Sequence, residues 1–592
     1  MRVVALVGLA VCGAGLAAAF VVRPRSAPTL FIATTVATSL GASTLGMFWL
    51  MVLRAGRVDR GSIVLLCTLV AVAGAMACAR RVAPPIATVP RPADRRRMLS
   101  WVAWPVAITC VAVVLNAWLW PFGDGDALAV YGPLGRVIVA SASLPVGERL
   151  YEAYPPLVPL LYAAVEWLHG SPSEAWSRVL TTTYALGCVV AAWHLARDMA
   201  SVRAAWLASL LVVSTPAFGR WASSGYADLP AACYVTLATL FAWRWWTGRE
   251  RSSAVACGLA CGLALWTKNS VITLGATAVL LPLAWAWTGR SRGDEGRRSP
   301  ADLALGALAG VAVAGPWYLR NLVVFGFALP PTAWTDRAQP GLASLLVGLA
   351  PAHGFGALGW LSLVLAGVVV LRVARDRSPA GAQAALVGAV CGPFFLAWWW
   401  FASYDPRFLV TIVPVAAAYG GAVVDGWMAR ASSRRWWGRP AAAIAILAVA
   451  LSWGVTLRRA LEHKRHVLRA PWMDDVERHR LQVGGLYEVG RLIDELPPGT
   501  RVAGVPTMAR YYIAPERLGD VRWVGSPPFP DGRLDAIVTR DGLAEGDPVA
   551  GSSARPGTCD GEVILSTADG FVVCLVTVAG DRVGGDGERG SW

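Results

Sequence analysis

Apolar runs long enough to cross a bilayer recur through most of the chain, separated by short polar segments. They fall at residues 2–22, 29–53, 62–79, 99–119, 176–196, 203–219, 229–246, 252–267, 270–288, 302–319, 354–371, 382–402, 408–428 and 440–457. About 20 helical residues cross a hydrocarbon core. The pattern therefore predicts a polytopic α-helical membrane protein with fourteen transmembrane helices. The first run is longer than a signal-peptide core and is followed by further spans, so it is read as a retained helix. Two apolar segments fall short. "PPLVPLLYAAVEWLHG" (155–170) and "GLASLLVGLAPAHG" (341–354) are expected to lie as helices on the outer face.

From residue 458 the pattern changes. Short runs alternate with Gly, Pro and Asp turns: "RVAGVPT", "LDAIVT", "EVILST" and "FVVCLVTV". These predict strands of a small α/β or β-rich domain, with a disordered end. The chain divides accordingly into three N-terminal helices with a basic loop (1–98), a membrane core (99–457) and an extracytoplasmic domain (458–592).

Charge sets the orientation. Of 592 residues, 56% are hydrophobic and 15% charged, and the net charge is +15. Mean hydropathy is +0.50. The arginines sit in short loops: 80–97, 197–203, 247–253, 288–298, 371–377 and 429–439. Basic loops stay in the cytoplasm. That places 120–175, 219–228, 267–269, 320–353, 403–407 and the tail outside, in an inner, cytoplasmic membrane. It also makes nucleic acid an unsuitable partner. Most of the 11 cysteines lie in apolar runs. Cys559 and Cys574 lie in the tail and can pair if it is in an oxidising compartment.

The polar residues then gather on one face. The first outer loop carries Asp124, Asp126, Tyr131, Glu152 and Tyr154. Tyr226 and Asp228 follow in the second, Lys268 in "WTKNS", Arg320 in "PWYLRN", and Asp405 with Arg407 in "SYDPRF". Each has a plain reading. Asp124, Asp126 and Asp228 can cap helices. Lys268 can snorkel to water, Arg320 and Arg407 can anchor span ends, and Asp405 can close a turn. Together they suit chemistry in which cations stabilise an anionic leaving group while a carboxylate takes a proton. A G-x-G-x-x-G pattern at Gly585, Gly587 and Gly590 has no strand before it and no helix after it, so it is no nucleotide fingerprint. No cofactor is implied, with a divalent metal left open.

In order along the chain stand "GDGDALAVY", "YPPLVPLLYAA", "SGYADLPAA", "GLALWTKN", "PWYLRNLVVFG" and "DPRFLVTIVP". This order resembles the GT-C superfamily of membrane glycosyltransferases, in the branch of protein O-mannosyltransferases and lipid A aminoarabinose transferases. The resemblance covers residues 100–430. It implies an inverting transferase that moves a sugar from a polyprenyl-phosphate donor to an acceptor hydroxyl on the outer face. The acceptor is a glycan, lipid or protein. Asp126 matches the catalytic base, and Asp124, split from it by Gly125, is a second acid or a cap. Lys268, Arg320 and Arg407 match donor-phosphate contacts, and Tyr131, Glu152, Tyr154, Tyr226 and Asp228 are expected to line the substrate site. The aminoarabinose branch has an acid and a lysine before its "PP", where this chain has Ala153 and Tyr154. A flippase of lipid-linked sugars is the alternative, but its ionisable groups belong near the midplane. An assembly or sensor protein acting through its tail leaves the ordered motifs unexplained.

Overall fold

The structure is a computed structural model. It describes residues 2–20, 27–53, 58–79, 96–146, 150–248, 251–289, 300–330, 337–349, 354–375, 378–431, 438–523, 534–540, 562–567, 569 and 571–575. The G-x-G-x-x-G pattern, the end of the tail and most of the strongest basic loop lie outside these. The chain forms two compact units, one of residues 1–120 and 137–471, the other of 121–136 and 472–592.

The first unit is helical. Among the described residues, nine helices are long and apolar enough to cross a membrane. The remaining apolar runs also fold as helices, several of them shorter. The first run is broken into Arg2–Val11 and Ala14–Phe20.

The two ends of the unit differ in chemistry. At one end, Arg244 Nε and Arg197 Nε donate to Asp198, at 2.8 and 2.9 Å. Arg203 and Ser201 donate to Asp425, and Arg251 lies 3.7 Å from Asp302. These residues come from the basic loops and the helix ends beside them. The helix Asp228–Gly248 carries Arg244 near this end and Asp228 at the other, and Pro300–Phe325 likewise carries Asp302 and Arg320. Helices of 21 and 26 residues put these ends about 30 Å or more apart. The alternation of basic and polar loops along the chain is thus a real separation in space.

The helix Leu157–His169 departs from expectation. It is short, as its sequence requires, and it is covered by other helices rather than exposed. Leu157, Val158, Leu160, Leu161, Ala163, Ala164 and Val165 are fully buried, and it packs against the helices Pro28–Leu53, Arg60–Ala79 and Glu174–Met199. Its first nine residues are apolar and gain by burial, while Glu166 and His169 near its end stay partly exposed. Leu342–Leu349 does keep exposed leucines, Leu342 and Leu346.

The second unit is a mixed sheet with helices. Strands β1 (Val502–Val505), β2 (Val521–Trp523), β3 (Ala536–Arg540), β4 (Glu562–Ser566) and β5 (Phe571–Leu575) stand in the order β2-β1-β3-β5-β4. β1 runs parallel to β2 and β3, and β5 runs antiparallel to β3 and β4. The amphipathic helix Gly485–Glu495 lays Val489 and Ile493 on a core of Val502, Val505, Val521, Ala536, Val538 and Val573. The tail's four apolar runs form β1, β3, β4 and β5, while β2, three residues long, is too short to show a pattern. Gly504 takes φ +73°, and a Cβ there would stand 2.5 Å from the carbonyl oxygen of Val538, so glycine lets β1 approach β3. Cys574 is disulfide-bonded; Cys559 lies outside the described residues.

Candidate active site

Three breaks in helices build a charged cluster in the first unit. The helix Arg251–Leu265 stops where the Thr267 and Lys268 amides both donate to Ala264 O at 3.0 Å. This leaves Lys268 extended before a new turn, Asn269–Thr273. Gly225, at φ +81°, turns the chain into the helix Asp228–Gly248. Its first turn favours an acid, because the backbone N–H groups there carry partial positive charge. Past Phe401, Asp405 accepts the Arg407 amide at 2.9 Å and caps Pro406–Ile412.

These breaks bring Asp228 between two cations. Its Oδ1 accepts a hydrogen bond from Lys268 Nζ, and its Oδ2 lies 3.9 Å from Arg407 Nε. Asp228 is 1% exposed, and the lysine and arginine side chains 10% and 13%. Such burial costs several kcal/mol per ion unless opposite charges meet, which is what they do here. Aromatic faces complete the setting. Lys268 Nζ lies 4.4 Å from the Phe408 ring, and the Arg407 guanidinium 4.8 Å from Tyr226 and 5.3 Å from Trp221. Trp221 and Tyr226 stack at 5.2 Å. Asp405 combines a turn with a local ion pair, 3.4 Å from Arg407.

Arg320 does something else. Its guanidinium donates to the carbonyls of Pro145 (2.7 Å) and Glu152 (3.3 Å) and lies 4.6 Å from the Trp317 ring. Asn321 Nδ2 and Trp317 Nε1 both donate to Ala153 O, at 2.8 and 3.3 Å. The "PWYLRN" segment thus clamps the backbone at Pro145, Glu152 and Ala153. Tyr318 donates to Leu265 O at 2.9 Å, which ties this helix to the Lys268 break. Glu152 and Tyr154 are half-buried.

Arg178 is a key residue that sequence reading missed. It is 1% exposed. Its Nε donates to Ser223 O at 2.7 Å, Nη1 donates to Trp120 O at 2.6 Å, and Nη2 lies 3.6 Å from Glu462. The signal available was an arginine inside an otherwise apolar run. Trp221, also missed, carried none.

In the second unit, residues 121–136 pack against the tail. The Arg136 guanidinium donates to Tyr511 O and to Ile513 O (3.2 Å), and Phe122 meets the Tyr511 ring edge-on at 5.4 Å. Asp124 is buried and Asp126 half-buried. The helical segment widens at Ala127–Tyr131, where the Gly132 amide bonds Ala127 O five residues back. A Cβ on Gly132 would stand 2.6 Å from the Tyr511 ring, so glycine permits both the wide turn and the contact. Asp126 makes no capping hydrogen bond, and Tyr131 is buried. Wide turns of this kind recur at functional sites.

Comparisons with known proteins agree with this picture. Residues 153–317 match the family model of dolichyl-phosphate-mannose-protein mannosyltransferase. ArnT from Cupriavidus metallidurans bound to undecaprenyl phosphate is similar at TM-score 0.52 and 16% identity, over 81% of this chain and 98% of that one. The apo form gives 0.53 and 17% over the same shares. The apo oligosaccharyltransferase of Archaeoglobus fulgidus gives 0.50 and 14%, over 76% and 70%. No curated protein sequence matches the chain. By these matches the chain has the fold of these membrane transferases and many apolar helices long enough to cross a membrane, and its residues 153–317 resemble the dolichyl-phosphate-mannose-protein mannosyltransferase family.

Proposed function

We propose that this enzyme takes a sugar from a polyprenyl-phosphate donor and passes it, with inversion, to an acceptor hydroxyl on the outer face of the cytoplasmic membrane. The observation that carries the reading is the buried Lys268–Asp228–Arg407 cluster at the helix ends opposite the basic loops. The donor's phosphodiester carries one negative charge and the departing polyprenyl phosphate up to two, so Lys268 and Arg407 meet more charge as the bond breaks, beside aromatic faces. Arg320 holds the carbonyls of Pro145 and Glu152 in place. The disulfide at Cys574 favours an oxidising compartment for the tail.

Asp126 enters this mechanism through the order of motifs in the sequence. Its carboxylate accepts the acceptor's hydroxyl proton. The freed oxygen bonds to the anomeric carbon from the side opposite the phosphate. The bond from that carbon to the phosphate oxygen breaks, and its electron pair leaves with the polyprenyl phosphate. Lys268 and Arg407 stabilise the departing charge.

The test uses purified full-length protein, radiolabelled undecaprenyl-phosphate sugars and candidate acceptors. Product of inverted anomeric configuration is expected. Movement of the lipid across the membrane with no bond broken would overturn the reading in favour of a flippase.

A further inference from the structure

A second charged feature at the site end of the first unit shares only Arg407 with this mechanism. Arg220, Arg407, Arg458, Arg459 and Lys464, with Trp221, line a cleft of about 520 Å³. Two carboxylates, Asp405 and Glu462, share it and are already engaged, by Arg407 at 3.4 Å and Arg178 at 3.6 Å. Close packing makes the cleft. Gly219 sits so near the helix Gly438–Ala460 that a Cβ there would stand 2.4 Å from Thr456 O. This brings Arg220 beside the helix end that carries Arg458 and Arg459.

Orientation does not explain these cations. The positive-inside rule gathers arginine at the other end of the bundle, with Arg197, Arg203 and Arg244, and leaves this end poor in basic charge. The helix dipole favours Arg458 and Arg459 in a last turn but says nothing of Lys464 or Arg407, which come from other segments. Lys464 is exposed, and its pKa is lowered by slight desolvation and by Arg458 beside it. The cluster therefore repels itself, and an anion would relieve it. Arginine forks match phosphate oxygens in pairs, and Arg220 lies 5.1 Å from the Trp221 ring, a flat apolar face beside the charge.

We propose that this cleft binds a phosphoryl group carried by the acceptor, so that the acceptor is a phosphorylated lipid or glycan. The inference rests on the transferase reading above. The cleft is separate from the Lys268–Asp228 pair but shares Arg407 with it.

The experiment uses the full chain in phosphatidylcholine nanodiscs, with calorimetric titration of inorganic pyrophosphate and, separately, of undecaprenyl phosphate. Wild type is expected to bind both. R458Q/K464Q should weaken pyrophosphate at least about tenfold and leave undecaprenyl phosphate unchanged. K268A should weaken undecaprenyl phosphate and largely spare pyrophosphate. R220Q gives a second, independent variant with the R458Q/K464Q pattern. Competition by phosphatidylglycerol in the nanodisc would support the site and assign a lipid acceptor, and its absence would support it and assign a soluble one. Unchanged pyrophosphate affinity in both cleft variants would overturn the proposal. So would loss of undecaprenyl phosphate along with pyrophosphate, which would make the cleft part of the donor site. A wild-type chain that binds pyrophosphate but not undecaprenyl phosphate would sink the donor reading, not the cleft.

Discussion

Replacing Asp228 by alanine removes the carboxylate that faces both Lys268 and Arg407. The two cations then remain in a setting where their side chains are 10% and 13% exposed. At the 3.9 Å from Arg407 to Asp228, Coulomb's law with an effective dielectric near 20 gives about 4 kcal/mol of lost attraction. Breaking a buried pair from one side costs about 3–5 kcal/mol in practice. Lys268→Ala should cost less, about 2–3 kcal/mol, because Asp228 keeps Arg407. The double variant leaves Arg407 paired with Asp405 at 3.4 Å. Its cost should fall short of the sum of the single costs by about 2 kcal/mol. Unfolding in mixed micelles by increasing SDS fraction measures all three on one scale. Additive costs, with a coupling under about 0.5 kcal/mol, would mean that water satisfies each ion by itself, and the buried-pair argument would fail. The same variants report on function. Asp228 competes with a donor phosphate for Lys268, so Asp228→Ala should bind undecaprenyl phosphate more tightly, by roughly tenfold, and Lys268→Ala more weakly.

Other perturbations probe separate parts of the molecule. Asp126→Asn should lower transfer by about a hundredfold or more with donor affinity retained; full activity would remove Asp126 from the mechanism. Arg178→Met strips Trp120 O, Ser223 O and Glu462 of their shared partner and should destabilise the membrane unit by about 3 kcal/mol, read as a lower SDS midpoint. Gly504→Val forces a β-branched residue to φ +73° against Val538 O and should loosen the sheet by about 2–3 kcal/mol. Limited proteolysis of the full chain should then cut first within 472–575, and an unchanged pattern would show that the strand tolerates the strain.

The sequence by itself determined what depends on composition along a line. Hydropathy over windows of about 20 residues located the apolar helices, nine of which, among the described residues, are long and apolar enough to cross a membrane. Arginine in alternate loops predicted two ends, and the structure groups Arg203 with Asp425 at one and Lys268 with Asp228 at the other. Short apolar runs between turn residues found four of the five strands among the described residues. Motif order pointed to Lys268, Arg320 and Arg407 as a group.

Tertiary structure decided which of these meet. Lys268 and Arg407 converge on Asp228, whereas Arg320 turns to the carbonyls of Pro145 and Glu152; all three sit at span ends, and a linear pattern cannot tell them apart. Leu157–Val165 is buried because neighbouring helices cover it, which its apolar sequence permits but does not require. Arg178 and the basic cleft show the same limit. Each joins segments far apart in the chain, Trp120 with Ser223 and Glu462, Arg220 with Arg407 and Arg458. Helix packing brings them together, and the charges then have to be satisfied where packing has left them.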